Sequence, residues 1–410
     1  MTKRSIETEF VHAGERRPLP QGLPNATPIF ASSTYSYESM EDAERVFTGE
    51  TKDYIYSRYG NPTVDAFQEA ICVLESGAVA RAFASGMAAL HAALLASDLT
   101  SGSYVLASRD LYGASFDLLY KIFGAFGVKT QLADFSDLVE LKHKVEELKP
   151  RVLLAETMSN PLLKVLDISA VADLAHTVGA KLIVDSTFAT PYLARPLEFG
   201  ADLVVHSATK YLGGNADAMG GVVIARDVAD EPALTSAMKL VGGILSVWEA
   251  HSISRGLKTL ALRLEKQCSN AEFLADKLSK HPSVKHVFYP KFSTDGVAPR
   301  VLTQPHNGAL LSIVLADDTR DAAWSFMDSL KLVVRATTLG DVFTTVSHAA
   351  SSSHRELPEK RREALGITEG LVRISVGIEK AEDILADIEQ ALADTGSGSN
   401  RASGGEGVAA

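Results

Sequence analysis

Cysteine is scarce in this chain of 410 residues, which has only Cys72 and Cys268. Two cysteines exclude a disulfide framework and a metal or iron–sulfur site with several thiolate ligands, and we interpret both as small buried apolar residues. Long hydrophobic runs are also lacking. The nearest approach to a membrane span, residues 78–96, contains Arg81 and His91, so we interpret it as a buried strand, a turn and a helix.

Positive charge is not in excess either. Forty Lys and Arg residues stand against 51 Asp and Glu residues, which gives a formal net charge of −11. Such an acidic chain is a poor partner for nucleic acid or an anionic membrane, and we expect neither. The first ten residues are polar and lack the apolar stretch of a secretion signal. We therefore expect a cytoplasmic protein.

The first sixty residues are rich in proline and tyrosine. Prolines at positions 18, 20, 24 and 28 interrupt any long element, so we predict an extended arm over residues 1–60. Tyr54, Tyr56 and Tyr59 are untypical of disordered segments. Because a long arm buries little of its own surface, we expect it to contact a neighbouring subunit; a flexible leader is the alternative.

From residue 61 to about 256, short apolar runs alternate with amphipathic stretches. This pattern predicts βαβ units and a mostly parallel sheet, whose ligands bind beyond the carboxyl ends of the strands. The predicted strands are residues 79–83, 104–107, 152–155, 182–184, 203–205 and 222–225, and two predicted helices are residues 139–148 and 168–178.

Residues 257–394 are predicted to form a smaller α+β domain. It would begin with a long helix over residues 257–279 and contain strands at 309–314 and 372–375 and helices at 321–329 and 381–392. The last sixteen residues, 395–410, are rich in Gly and Ser, a composition typical of a disordered tail.

Two ionisable side chains follow predicted strands. Lys210 comes after residues 203–205, between hydroxyl residues and glycines; in a low dielectric its amine loses the proton more readily and can condense with an aldehyde. Asp185 comes after residues 182–184, where a carboxylate needs a cation or strong donors. A solvated loop lysine and an aspartate that caps a loop are the alternatives.

Other strand ends carry further candidates. Ser85, Gly86 and Met87 form a small-residue turn before a helical pattern; such a turn points backbone N–H groups at an anion such as phosphate, although an ordinary helix cap fits too. Tyr112 follows residues 104–107 and offers a flat ring face. Asn160 precedes a proline and can hydrogen-bond a phenolic oxygen.

Together these groups match the requirements of pyridoxal phosphate. Its aldehyde needs a lysine, its ring nitrogen a carboxylate, its phosphate N–H and hydroxyl donors, and its ring a stacking surface. The ends of five predicted strands supply this set, so we predict pyridoxal phosphate as the cofactor and no metal.

Several longer motifs strengthen this prediction. They are YSRYGNPT (residues 56–63), SGMAA (85–89), LYG (111–113), ETMSNP (156–161), VDSTFATP (184–191), HSATKYLGG (206–214) and GLVRISVGIE (370–379). With them the chain, from about residue 9 to 394, resembles the Cys/Met-metabolism (gamma) group of pyridoxal-phosphate enzymes. The resemblance implies an aspartate-aminotransferase-like α/β fold with a mostly parallel central sheet.

The resemblance also implies roles for individual residues. Lys210 would bond the cofactor and move protons, Asp185 would bind its ring nitrogen, and Tyr112 would stack on its ring and act with Lys210 in catalysis. The remaining cofactor-binding residues would be Ser85, Gly86, Met87, Asn160, Thr187, Ser207, Thr209, Tyr56 and Arg58. Tyr56 and Arg58 would come from a neighbouring subunit of a homo-oligomer, expected as a tetramer built from two dimers. Arg373 would grip the substrate carboxylate, with Thr338 and Tyr56 also at the substrate.

The substrate is less firmly indicated by the resemblance. Thr337 stands where cystathionine-using members usually have Glu, whereas Gly340 and Asp341 are similar to methionine gamma-lyases and O-acylhomoserine sulfhydrylases. Ala114 replaces the cysteine typical of methionine gamma-lyases, and Ala349 replaces the usual proline after His348. We predict carbon–sulfur γ-elimination on methionine or a related amino acid. The alternatives are γ-replacement on an O-acylhomoserine, of the cystathionine γ-synthase or sulfhydrylase type, and a catalytically silent scaffold.

Overall fold

A computed structural model describes residues 24–51, 53–355 and 357–396. The first 23 residues of the predicted arm and residues 397–410 of the predicted tail lie outside the described residues. Two β-sheets, one of seven strands and one of five, organise the chain. Among the described residues, no helix is both long and apolar enough to cross a membrane.

The larger sheet has the order β1-β7-β6-β5-β4-β2-β3. Its strands are β1 (Val79–Phe83), β2 (Tyr104–Ser108), β3 (Lys129–Ala133), β4 (Val152–Glu156), β5 (Lys181–Asp185), β6 (Leu203–Ser207) and β7 (Gly221–Ala225). Four neighbouring pairs are parallel, and β7 pairs antiparallel with both β1 and β6. The prediction of a mostly parallel sheet in an α/β fold is confirmed.

Helices cover both faces of this sheet, because its central strands are apolar on both sides. The helices of this part are α1 (Met40–Phe47), α2 (Pro62–Leu74), α3 (Gly86–Leu95), α4 (Gly113–Asp117), α5 (Leu138–Leu148), α6 (Ile168–Thr177), α7 (Thr190–Leu193), α8 (Glu231–Val241) and α9 (Val247–Leu257). Helix α3 packs on β6 and β7, while α2 packs on β1 from the opposite face.

The smaller sheet has the order β10-β11-β12-β9-β8. Its strands are β8 (Val284–Phe288), β9 (Leu310–Leu315), β10 (Val334–Arg335), β11 (Thr345–His348) and β12 (Leu371–Ser375), and the helices are α10 (Leu260–Leu278), α11 (Ala298–Val301), α12 (Arg320–Ser329), α13 (Glu359–Ala364) and α14 (Ala381–Gly396). Helices α10, α12 and α14 share one apolar core with this sheet. The boundary predicted near residue 256 stays a prediction.

Two segments differ from the predictions made from sequence. Residues 24–60 are largely irregular, but they contain helix α1, whose first turn is capped by Ser39 accepting from the Asp42 N–H. The long helix predicted from residue 257 begins instead at Leu260. Residue 257 ends α9, and a turn at Lys258 and Thr259 separates the two helices.

Candidate active site

Lys210 lies in the loop after β6, at the carboxyl edge of the larger sheet. Its Nζ is 3.4 Å from Thr338 Oγ1, which precedes β11 of the smaller sheet. Burial lowers the pKa of the Lys210 amine, the nearby Arg373 guanidinium lowers it further, and Asp341 opposes both effects. The surroundings of Lys210 therefore make its amine easier to deprotonate than a solvated lysine, as a nucleophilic amine requires.

Gly340, which lies between β10 and β11, packs closely against the loop that carries Lys210. Gly340 has φ +83°, and a Cβ there would lie 2.7 Å from the Tyr211 backbone nitrogen. Its own N–H donates to Ser375 Oγ at 2.9 Å. Only a residue without a side chain permits this approach, which places Thr338 beside Lys210.

Asp185 is the last residue of β5, one position later than the predicted strand end. Its Oδ1 accepts from the Thr187 N–H at 2.9 Å, and Thr187 Oγ1 accepts from the Ser207 N–H at 2.8 Å. Burial raises the pKa of the Asp185 carboxyl, while the donors at Thr187 lower it. A cationic ring nitrogen would offset the cost of this buried charge.

The N-terminus of α3 lies beside Ser207. Ser85 Oγ accepts from the Ala88 N–H at 3.1 Å, so it caps the helix, as the alternative interpretation of this turn held. The N–H groups of Gly86 and Met87 belong to the first turn and have no acceptor within the helix. A Cβ on Gly86 would lie 2.7 Å from Ser207 Cβ, so the helix terminus and the Ser207 hydroxyl converge, as an anion site requires.

The loop that carries Ser207 and Lys210 is fixed to β7. Thr209 Oγ1 donates to the Gly220 carbonyl at 3.2 Å and accepts from the Gly220 N–H at 3.1 Å. Gly221, the first residue of β7, lies against the turn before α3: a Cβ there would be 2.1 Å from the Ser85 carbonyl oxygen. Strand β7 thus holds the lysine loop and the helix N-terminus together.

Tyr112 directly precedes α4 and is 42% exposed, which leaves its ring accessible. Its backbone N–H donates to Glu156 Oε1 at 2.6 Å. Glu156 ends β4 and stands in register with Asp185. Burial and the neighbouring Asp185 raise the pKa of the Glu156 carboxyl well above its usual range. Glu156 had no role predicted from the sequence, because its hydrogen bond with the Tyr112 N–H is visible only in the folded chain.

Arg373, on β12, is 5% exposed. Its Nη1 donates to Asn160 Oδ1 at 3.0 Å and its Nη2 to the Thr338 carbonyl at 3.1 Å. Among the described residues, its buried Nε finds no hydrogen-bond partner. Burial lowers the pKa of Arg373 to about 10. A buried cation with an unused donor is prepared for a carboxylate.

Tyr56 and Arg58 have different surroundings within one chain. Arg58 Nη1 donates to the Lys239 carbonyl in α8, and its guanidinium lies 4.7 Å from the Tyr59 ring centroid. Tyr56 is 40% exposed. The contacts of Arg58 therefore connect the arm to α8, and the predicted role of Tyr56 and Arg58 in a neighbouring subunit's site stays a prediction.

The residues present fit pyridoxal phosphate. A helix N-terminus with free N–H groups, a buried carboxylate, an accessible tyrosine ring and a lysine with a lowered pKa occupy one edge of the larger sheet. In the described ranges, no three His, Cys, Asp or Glu side chains form a group able to hold a metal ion.

Residues 7–393 match the family described as Cys/Met metabolism PLP-dependent enzyme. The chain belongs to this family. The predicted family, its pyridoxal-phosphate cofactor and its fold class are thereby confirmed.

Named relatives of this PLP-dependent enzyme have different activities. It is 40% identical over 395 residues to an L-methionine gamma-lyase of Fusobacterium nucleatum, covering 96% of this chain and 99% of the relative. It is 37% identical to a cystathionine beta-lyase of Lactococcus lactis, covering 95% and 99%. The crystal structure of a cystathionine gamma synthase from Xanthomonas oryzae superposes with a TM-score of 0.84 at 35% identity, covering 91% and 94%. The family is thus established, and the reaction is not.

Proposed function

We propose that this enzyme catalyses carbon–sulfur γ-elimination on methionine or a related amino acid. The observation that carries the proposal is the chain of contacts Lys210–Thr338–Arg373–Asn160, which sets a proton-transferring amine beside a carboxylate-binding guanidinium. An amine close to a guanidinium suits an α-amino acid, because the α-carbon and the carboxylate of the substrate are adjacent. The preference for methionine is supported by relatives named methionine gamma-lyases at 36–40% identity and by Thr337, which places no negative charge beside Thr338.

In the proposed mechanism, bound pyridoxal phosphate supplies an electron sink attached to the substrate amine. Arg373 binds the substrate carboxylate and fixes the orientation of the α-carbon. Lys210 Nζ would remove the α-proton and transfer protons along the substrate side chain, with Thr338 Oγ1 orienting the amine. Asp185 would bind the cofactor's ring nitrogen and keep it protonated, and Tyr112 would offer its ring as a stacking surface.

The second candidate is γ-replacement on an O-acylhomoserine. This reaction would use the same residues until the γ-substituent leaves. It would then differ from elimination because the site admits a thiol instead of water. The structural likeness to a cystathionine gamma synthase, at 35% identity, supports it. The alternative of a catalytically silent scaffold has no support from the site, since Lys210, Asp185, Tyr112 and Arg373 are all present.

Product analysis distinguishes these reactions. The holoenzyme is incubated with methionine, cystathionine, O-acetylhomoserine or O-succinylhomoserine, each with and without sulfide or cysteine. Elimination predicts methanethiol, 2-oxobutanoate and ammonia from methionine without any added thiol. A requirement for an acylated homoserine together with a thiol would overturn the lyase proposal in favour of the transferase.

We further propose a homotetramer made of two dimers, acting in the cytoplasm on a small amino acid. Apolar side chains on the surface of the single chain support association: Leu240 is 83% exposed, Phe126 72% and Leu262 71%. The proposed divisions are an arm over residues 1–60, a cofactor domain over 61–256, a C-terminal domain over 257–394 and a tail over 395–410.

A further inference from the structure

Glu156 has no role in the proposed mechanism, yet it neighbours two residues that have one, Tyr112 and Asp185. Its Oε1 accepts the Tyr112 N–H at 2.6 Å, and its backbone stands in register with Asp185 on the adjacent parallel strand. Register partners on neighbouring strands direct their side chains to the same face of the sheet. The two carboxyl groups are therefore neighbours at the edge where the cofactor binds.

Two adjacent carboxyl groups removed from water do not both ionise readily. Each carboxyl accepts from two donors, Asp185 from the Thr187 N–H and hydroxyl and Glu156 from the Tyr112 and Asn160 N–H groups. The negative charges around them differ. Glu156 faces the charges of Asp185 and Asp110, and the second of these is paired with Lys164 at 3.1 Å.

We propose that Glu156 is a positioning residue that carries the shared proton of the Glu156–Asp185 pair and anchors Tyr112 through its backbone N–H. The neutral Glu156 leaves the negative charge on Asp185, where a ring nitrogen needs it. This inference rests on the roles proposed above for Asp185 and Tyr112.

The anchor matters because Tyr112 has few other restraints. It precedes α4 without a side-chain hydrogen bond that caps the helix. On its other side Gly113 meets the Ser353 carbonyl, since a Cβ on Gly113 would lie 2.5 Å from that oxygen. The Glu156 hydrogen bond and this close approach together set the backbone from which the tyrosine ring projects.

The experiment compares the same carboxylate-to-amide change at the two register partners, in the holoenzyme. Glu156→Gln reproduces a neutral acid, so the pH titration of cofactor absorbance and the dissociation constant for pyridoxal phosphate should stay within about twofold of wild type. Asp185→Asn should weaken pyridoxal-phosphate binding by about 100-fold or more. Equilibrium dialysis and absorbance titration measure both quantities.

Glu156→Ala tests the anchor. It should diminish the circular dichroism of the cofactor band and weaken cofactor binding by about 3- to 10-fold, while Glu156→Gln keeps the band. If Glu156→Gln shifts the titration as far as Asp185→Asn does, Glu156 is ionised and the inference fails with the site roles intact. An unchanged band in Glu156→Ala would overturn the anchor, and normal cofactor binding in Asp185→Asn would overturn the role of Asp185 itself.

Discussion

At the scale of single residues, the surroundings of Lys210 decide its chemistry more than its place in the sequence does. A lysine after a strand is as often solvated as reactive. Here burial and Arg373 lower its pKa, and Thr338 Oγ1 lies 3.4 Å from its Nζ. Each of these influences comes from a different part of the chain.

Lys210→Ala should remove the visible absorbance of the bound cofactor, because no amine remains to bond the aldehyde in conjugation with the ring. Absorbance scans of purified protein measure this loss, with Lys291→Ala, at an exposed ion pair with Glu272 and Asp276, as the control that keeps the band. Borohydride reduction followed by peptide mapping should label Lys210. A label on any other lysine would contradict the assignment.

Thr337→Glu should raise kcat/KM for cystathionine relative to methionine. A carboxylate there could hold the distal ammonium of cystathionine with a charge-assisted hydrogen bond, about 1.5–3 kcal/mol or roughly 10- to 150-fold. The kinetics of both substrates are measured in the wild type, in Thr337→Glu and in the isosteric control Thr337→Gln. Asp341→Asn tests a second acidic candidate, and a wild-type preference for cystathionine that survives it would refute the methionine proposal.

His354, buried near Arg373 and Arg362, should make the protein sensitive to acid. Burial and these two guanidiniums lower its pKa from 6.5 to about 4. The unfolded chain therefore binds this proton first, and the stability present above pH 6.5 falls by ~3 kcal/mol as pH drops to 4. The urea concentration at the denaturation midpoint should fall less steeply with decreasing pH in His354→Gln than in the wild type. The exposed His143→Gln should keep the wild-type slope, and an equal slope in both variants would argue against a neutral His354.

At the scale of elements, the strands that could be predicted from sequence are runs of apolar residues, whereas the buried β11, with the polar sequence TVSH, was missed. Strands β4, β5 and β6 are continuous apolar runs, so their positions were predicted within two residues. Strand β3, with the sequence KTQLA at the sheet edge, and β8, with VKHVF, carry polar residues on exposed sides and were missed. The antiparallel direction of β7 depends on the route of the chain, which local sequence does not encode.

The same distinction applies to the candidate site. Lys210, Asp185 and Ser85 were found because each follows a predicted strand, where ligands of parallel sheets bind. Glu156 also follows a predicted strand, but its contacts with Tyr112 and Asp185 are visible only in the fold. His354 follows no predicted strand, and the proximity of its ring to Arg373 likewise emerges only in the fold. Gly221 gave no signal either, since its importance lies in a close backbone approach.

Gly221→Ala should separate the β7 strand from the turn before α3. The added Cβ would lie 2.1 Å from the Ser85 carbonyl oxygen, a backbone atom that cannot rotate away. We expect a loss of stability of about 1–3 kcal/mol and weaker binding of pyridoxal phosphate, measured by urea denaturation and dialysis. Gly243→Ala is the matched control, since its Cβ would meet only Ala88 Cβ at 3.5 Å. Equal behaviour of the two variants would contradict the proposed fit.

At the scale of the whole molecule, both sheets contribute to the site. Asn160 and Lys210 follow strands of the larger sheet, whereas Arg373 lies on β12 of the smaller sheet and Thr338 lies between β10 and β11. Two hydrogen bonds join the two groups, Lys210 to Thr338 at 3.4 Å and Arg373 to Asn160 at 3.0 Å. The geometry of the proposed substrate site therefore depends on how the smaller sheet packs against the larger one.

If Arg58 serves a neighbouring subunit, two inactive variants should complement each other. When Arg58→Ala is mixed with Lys210→Ala, hybrid dimers form. In such a dimer both substitutions lie in the same one of the two composite sites. The other site is then intact, and activity should recover to about one quarter of wild type after equal mixing. Steady-state assays after subunit exchange measure the recovery.

The control pair for this test is Asp185→Asn with Lys210→Ala. Both residues lie in the cluster formed by one chain, so every site of a hybrid dimer keeps a defect and no recovery is expected. No recovery with Arg58→Ala despite demonstrated exchange would show that Arg58 acts within its own chain. Recovery in the control pair would show that Asp185 and Lys210 do not serve the same site.

The contact between Asn160 and Arg373 has a consequence for synthesis of the chain. The two residues are 213 positions apart. At about 5–20 residues per second, a ribosome needs about 10–40 s to proceed from one to the other. The nascent chain therefore exposes Asn160, and soon afterwards Asp185 and Lys210, well before the guanidinium that completes the substrate end exists.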